Sequence, residues 1–187
     1  MEKQDNFQQN FSLKGYSSIQ IGLYFLLAAF VIKKMLEGFL IDDHPMGMMS
    51  AQIIEFLILV IIFFTLIFSS LALFFKGRRK AKRLEYELWN SKTKVTFWKY
   101  ITSFSVIFLA LILLISEGYM DYITPVFLVL YALTLLFLRV KKSKNLFVLA
   151  GVSVLLAVIC FLIPNYWYSS IFILGIAHIT YGIVVKN

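Results

Sequence analysis

A single uninterrupted apolar run restricts this chain more than any other feature of its sequence. Residues 53–75 read IIEFLILVIIFFTLIFSSLALFF and contain one charged side chain, Glu55. A helix needs about 20 apolar residues to cross the hydrocarbon core of a bilayer, and a run beyond about 18 indicates a spanning segment. The run has none of the alternation that a transmembrane β-strand requires. It therefore predicts a transmembrane helix.

Composition extends this prediction to the rest of the chain. Apolar residues make up 60% of the 187 residues and charged residues 15%, whereas soluble domains have about 45–50% and 25%. Apolar stretches alternate with short polar or basic breaks. We predict an all-α fold, a polytopic membrane helix bundle that forms one integral membrane domain, residues 1–187. Its six transmembrane helices are expected near residues 16–35, 52–75, 98–116, 122–138, 145–163 and 167–185.

The basic residues predict the orientation of the bundle. Sixteen of the 18 Lys and Arg residues fall on one side of the six predicted spans, and nine of them lie between residues 76 and 99. Loops rich in Lys and Arg stay in the cytoplasm. Both the N-terminus and the C-terminus are therefore expected to be cytoplasmic, together with a basic loop at residues 76–97.

The predicted partner of this basic loop is the lipid bilayer, through anionic lipids at the membrane surface. A short interfacial helix over residues 83–98 is one form that the segment can take. A cytoplasmic or membrane protein partner is the alternative, and it would dock through Glu85, Glu87 and Trp89. Nothing in the loop resembles a surface that reads base edges, so no nucleic acid partner is expected.

Ionisable residues at membrane depth are candidate functional groups because burying them in lipid is costly. Lys33, Lys34 and Glu55 lie near the predicted outer interface, where a structural ion pair between Glu55 and one lysine is expected, or else an ion or substrate gate. His178 lies near the middle of the last span. The short turn before that span places Ser153 opposite His178, which predicts a structural hydrogen bond; the alternative is a proton relay.

One predicted outer loop carries metal-ligand chemistry. It contains the weak candidates His44, Met46, Met48 and Met49, which are soft or borderline ligands that suit copper. The sequence predicts no metal site and no cofactor, because a single loop with Pro and Gly lacks the rigid spacing of a binding site. No HExxH motif, nucleophile elbow or phosphate-binding glycine loop is present, so the chain is not expected to be an enzyme.

Two functions remain open at this point. The first is that of an accessory or regulatory membrane protein whose basic loop meets a partner. The second is that of a small-solute or ion permease whose path is lined by Lys33, Lys34, Glu55 and His178. Small size, the lack of a targeting segment and a Lys, Ile, Phe and Asn-rich composition favour a bacterial cytoplasmic membrane, with multiple passes.

Overall fold

The described part of the chain forms six α-helices. The computed structural model describes residues 13, 15–40, 47, 49–83, 85, 88, 89, 91–137, 146–163 and 166–185. The prediction of an all-helical chain is confirmed, and each predicted span overlaps one helix. The helices are α1 Tyr16–Phe39, α2 Ala51–Arg83, α3 Ser91–Ser116, α4 Ile123–Phe137, α5 Leu146–Leu162 and α6 Trp167–Val184, with a 3₁₀ turn at Met120–Tyr122 before α4.

Three of these helices are long and apolar enough to cross a membrane. They are α1, the part of α2 from Gln52 to Arg83, and the part of α3 from Thr93 to Ser116. The other three helices are apolar but contain 15 to 18 residues, about 22–27 Å at 1.5 Å per residue. The lengths and composition of α1, α2 and α3 support a membrane protein.

The segment predicted as a basic loop is largely helical. Helix α2 continues without a break through residues 76–83 to Arg83, so the expected loop at 76–97 is wrong over these residues. Lys, Arg and Ala are good helix formers, and cations at a helix C-terminus interact favourably with the macrodipole. The separate interfacial helix considered for residues 83–98 is also wrong, because α3 already begins at Ser91. Between the two helices, Glu85 has a φ of 52°.

The end of α3 is set by a Schellman motif. Gly118 has a φ of 75°, and its N–H donates to the carbonyl of Ile115 at 3.0 Å. The N–H of Tyr119 donates to the carbonyl of Leu114 at 2.8 Å. These two bonds satisfy carbonyls that the helix end leaves without partners, and they turn the chain into α4.

Helices that follow one another in sequence contact one another, and α6 returns to α1. The early residues of one helix meet the late residues of its neighbour, which shows that the two are antiparallel. The contacts that show this are Tyr24 with Phe68, Ser70 with Tyr100, Lys99 with Phe137, and Tyr122 with Phe161. All six helices contribute to the hydrophobic core. Its most deeply buried side chains include Phe25 of α1, Leu111 of α3, Leu128 of α4, Leu149 of α5 and Leu174 of α6.

The most extensive contact joins α1 to α6 through glycines. A Cβ atom added to Gly22 would lie 2.6 Å from the carbonyl oxygen of Gly175, and one added to Gly182 would lie 2.7 Å from that of Gly15. The backbones therefore touch, as small residues allow in lipid. The paired numbers fall along one helix as they rise along the other, so the helices are antiparallel. The N–H of Gly15 also donates to the carbonyl of Val185 at 3.2 Å.

This contact predicts opposite effects for two kinds of glycine substitution. Gly22→Ala and Gly175→Ala place a methyl group against backbone atoms, so each should destabilise the protein by about 1–3 kcal/mol. The control is Gly151→Ala on α5, where a Cβ meets nothing within 4 Å; it should be neutral or stabilising by up to about 1 kcal/mol. The free energy of unfolding in mixed detergent micelles measures both, and equal effects at positions 22 and 151 would contradict the backbone contact.

Candidate functional site: a buried histidine

Among the described ionisable side chains, His178 is the most completely buried. It lies on α6, and its exposed fraction is 0%. The antiparallel α1–α6 contact brings Ser18 of α1 next to it, and Tyr131 approaches from α4. Ser18 is likewise fully buried and Tyr131 is 8% exposed. Three helices that are far apart in sequence thus meet at one imidazole ring.

Both ring nitrogens of His178 have a hydrogen-bond partner. The Ser18 hydroxyl donates to the backbone carbonyl of His178 at 2.8 Å, so its lone pairs face the ring, where Nδ1 lies 3.4 Å away. The Nδ1–H group therefore donates to Ser18 Oγ, while Nε2 accepts from the hydroxyl of Tyr131 at 2.7 Å. This assignment follows from counting donors and acceptors. With this assignment, the one donor and the one acceptor of a neutral imidazole each have a hydrogen-bond partner.

Aromatic rings enclose the same imidazole. Phe25 stacks on His178 with ring centroids 5.5 Å apart and planes inclined by 23°. Tyr131 meets Phe25 edge-on at 5.5 Å, and Phe127 stacks on Tyr131 at 5.9 Å. A buried polar group in apolar surroundings is costly unless it is hydrogen-bonded, and here the bonds are supplied within the aromatic enclosure. The arrangement suits a structural polar contact between three helices.

The predicted bond between Ser153 and His178 is wrong. The Ser153 hydroxyl is fully buried, but it donates to the carbonyl of Leu149 in its own helix at 2.9 Å. The hairpin of α5 and α6 does have the expected register, since Cys160 lies next to Ser170. The prediction failed because the small-residue face of α6 packs on α1, which turns His178 away from α5.

The expected ion pair of Glu55 with Lys33 or Lys34 is also wrong. Both lysines pair with Glu37 on their own helix, at 3.6 Å from Lys33 and 2.8 Å from Lys34. Glu37 is three and four residues beyond them, a spacing that brings side chains together on one helix face. Because these side chains are about half exposed, they lie on the surface of α1. Lys33 also lies over the ring of Tyr168, 6.0 Å from its centroid.

A small apolar cavity lies beside the histidine site. Its volume is about 10 Å³, enough for about one water molecule. The lining residues come from α1, α2, α4 and α6 and are Phe25, Ala28, Ile32, Ile62, Thr65, Phe127 and Ile171. The one polar side chain among them, Thr65, donates its hydroxyl to the carbonyl of Ile61 at 2.8 Å. This cavity offers no free polar group to a substrate.

The metal candidates are placed only in part. His44, Met46 and Met48 lie outside the described residues, and Met49 is 39% exposed at a bend before α2. Within the described ranges, no group of three or more His, Cys, Asp or Glu side chains is arranged to hold a metal ion.

Sequence reasoning missed Ser18 and Tyr131 as partners of His178. A signal was present, because Gly15 and Gly22 have the same seven-residue separation as Gly175 and Gly182. Two helices with matching glycine spacing are candidates for close packing. Antiparallel alignment of these glycines places Ser18 within one residue of the position opposite His178.

Comparison of the chain with protein-family models, curated proteins and solved structures found no match. On its structure alone, the chain is an all-helical membrane protein with a buried, hydrogen-bonded histidine.

The hydrogen bonds of His178 predict a specific pattern of stabilities. Tyr131→Phe leaves Nε2 without a donor and should cost about 1–2 kcal/mol of unfolding free energy. The control Tyr122→Phe alters a tyrosine that is 43% exposed and should change stability by less than about 0.5 kcal/mol. The double variant Tyr131→Phe/His178→Leu removes both polar partners, so its loss should be smaller than the sum of the single losses. Strict additivity in detergent unfolding would show that the two rings are not coupled.

Proposed function

We propose that this chain is a non-enzymatic, multi-pass accessory or regulatory membrane protein of a bacterial cytoplasmic membrane. In this proposal all six helices cross the bilayer and both termini are cytoplasmic. The protein acts by packing in the membrane and presenting its surfaces to a partner. The observation that carries the proposal is the closed environment of His178, whose two ring nitrogens are both occupied inside the bundle.

The pairing of α1 with α6 supports an even number of crossings. Gly15, which precedes α1, bonds to Val185, which follows α6, so these two points lie at the same end of the bundle. A chain that starts and finishes on one side crosses an even number of times. Crossings by α1, α2 and α3 alone would be odd in number, which favours crossings by the shorter helices as well.

The distribution of charge supports the proposed orientation. Lys99 of α3 contacts Phe137 near the end of α4, and the basic end of α2 adjoins the start of α3 through Trp89. The basic residues of these helices therefore gather at one end of the bundle. Under the positive-inside rule this end is cytoplasmic, and Gly15 and Val185 share it.

The placement of the charged groups favours an accessory role over transport. A permease needs polar or charged side chains along a continuous wet path. Lys33 and Lys34 instead pair with Glu37 on the outer face of α1, and His178 is sealed by Phe25 and Tyr131. A permease is the alternative function, and measurements of topology, partners and ion flux distinguish it from the accessory role.

Reporter fusions test the crossings and the orientation together. Fusions after Arg83 and after Asn187 should report the cytoplasm, and fusions after Gly118 and after Asn165 should report the opposite side. The fusion after Asn187 is decisive, because three crossings would place it outside whereas six place it inside. An external reporter at that position would contradict the six-crossing proposal.

Two further measurements test the role. Mild extraction from the native membrane should recover a stoichiometric membrane or cytoplasmic protein with this chain. Proteoliposomes loaded with ion-sensitive or pH-sensitive dyes should show no flux above empty vesicles, and His178→Leu should leave that background unchanged. A flux that depends on His178, Lys33 or Lys34, with no recovered partner, would replace the accessory role with the permease.

A further inference from the structure

The junction of α2 and α3 carries a dense group of cations on two ordered helices. In the described part of the chain, this end holds one acidic residue, Glu85, against nine basic ones. The basic residues are Lys76, Arg78, Arg79, Lys80, Lys82 and Arg83 on α2, and Lys92, Lys94 and Lys99 on α3. Ion pairs between two described residues join Lys33 and Lys34 to Glu37. The arginines of this end therefore lack an acidic partner among those residues.

The position of these cations matches the headgroup layer of a bilayer. The apolar part of α2 ends at Phe75, and at 1.5 Å per residue Arg78 lies about 4–5 Å beyond it and Arg83 about 12 Å beyond it. The polar layer on each face of a bilayer is about 5–8 Å deep. Because the helix is continuous, its first cations are held at phosphate depth by the transmembrane part of the same element.

A tryptophan fixes the junction at the same level. Trp89 lies in the connection and contacts Phe74 of α2 at 6.3 Å and Phe97 of α3 at 5.3 Å between ring centroids. It is 44% exposed, and tryptophan is enriched where apolar and polar layers of the membrane meet. Trp89 therefore positions the connection between α2 and α3 at the membrane interface, next to the cations.

The basic side chains at the end of α2 repel one another, and nearby anions would reduce this repulsion. Arg78 and Lys82, and likewise Arg79 and Arg83, are four residues apart, and like charges at this spacing repel and destabilise a helix. The C-terminal macrodipole offsets part of this repulsion. Phosphate groups offset more of it, because a guanidinium binds a phosphate through two parallel charge-assisted hydrogen bonds.

We propose that the α2–α3 junction is a binding site for anionic phospholipid headgroups, centred on Arg78, Arg79 and Lys82. The continuous α2 holds Arg78 and Arg79 at phosphate depth, and Lys82 and Lys94 add positive charge from the next turn of α2 and from the neighbouring helix. The site requires only that α2 lies in a bilayer, so it holds for either functional role of the protein. An acidic protein segment or a nucleic acid would have to compete with the lipid phosphates for the same cations, so we favour the lipid as the ligand.

Tryptophan quenching by brominated lipids tests this site directly. The parent protein carries Trp167→Phe, so that emission comes from Trp89 and Trp98 near the junction. It is reconstituted in phosphatidylcholine vesicles containing a fixed fraction of either brominated phosphatidylglycerol or brominated phosphatidylcholine. We expect the brominated phosphatidylglycerol to be several-fold enriched around these tryptophans, with the enrichment falling in 0.5 M salt because salt screens exposed charges.

Three variants separate the site from a general charge effect. Arg78→Gln/Arg79→Gln/Lys82→Gln should abolish the enrichment, since each cation near the surface contributes up to about a fivefold preference. Arg78→Lys/Arg79→Lys retains the charge and should keep most of it. Lys33→Gln/Lys34→Gln removes cations paired with Glu37 and should leave it unchanged. Thermal unfolding in phosphatidylcholine alone verifies that each variant is folded.

The remaining outcomes overturn the proposal. Equal quenching by both brominated lipids in the parent protein would show that no anionic lipid is selected. An equal loss from the variants at positions 33 and 34 would assign the preference to overall charge. If the triple variant does not fold, an enrichment in the parent protein that resists 0.5 M salt would exclude the electrostatic site. Absence of lipid selection together with oligonucleotide binding through Arg78 and Arg79 would assign the surface to nucleic acid.

Discussion

Helices α1 and α6 are held together by direct contact between their backbones, at Gly22 with Gly175 and at Gly15 with Gly182. Lipid tails are as apolar as the side chains of the helices, so burial of apolar surface does little to hold membrane helices together. Close packing does this work instead, and Gly22 and Gly175 permit it because neither carries a Cβ. The contact joins the first helix to the last and brings Ser18 to His178. A closed ring of antiparallel neighbours follows from it.

The environment of His178 shows how a polar side chain can stabilise such a bundle. An imidazole with an unpaired nitrogen would be costly in an apolar interior, so the ring is useful only where two partners are held in position. Ser18 and Tyr131 come from two other helices. The three hydrogen bonds therefore form only when α1, α4 and α6 are packed together in this arrangement. Glycine contacts bring the backbones close, and the histidine selects one rotation and register for them.

Local features of this chain were predictable from its sequence, whereas its long-range contacts were not. Hydropathy predicted all six helices, and most of their ends to within a few residues, because a continuous apolar run is a local signal. The extension of α2 to Arg83 was missed because a dense run of cations is typical of a solvated loop. Glu55 was paired wrongly because charges were matched by depth, whereas Glu37 reaches both lysines within one turn of the same helix.

The partners of His178 were missed for a different reason. Adjacency in sequence placed α5 against α6 correctly, as the proximity of Cys160 and Ser170 shows. Hydropathy does not reveal which face of a uniformly apolar helix meets which neighbour, because every face is apolar. The matching glycine spacing of α1 and α6 contained that information, across 160 residues of sequence. In a membrane bundle, the pattern of small residues predicts helix contacts better than the pattern of apolar ones.

Packing is distributed unevenly between the two sides of the bundle, and this bears on the lipid site. Of the most apolar window of α1, 39% is buried against protein, compared with 11% for that of α3. Most of α3 therefore faces lipid, and its contact with α2 relies on a few pairs such as Phe63 with Phe108 and Ser70 with Tyr100. The cations of the α2–α3 junction are thus carried by α2, with 33% of its most apolar window buried, and by α3, with 11%. At the proposed lipid site, headgroup contacts at Arg78 and Arg79 would add to the few contacts that hold α3 against α2, whereas α1 and α6 are already held together by glycine contacts.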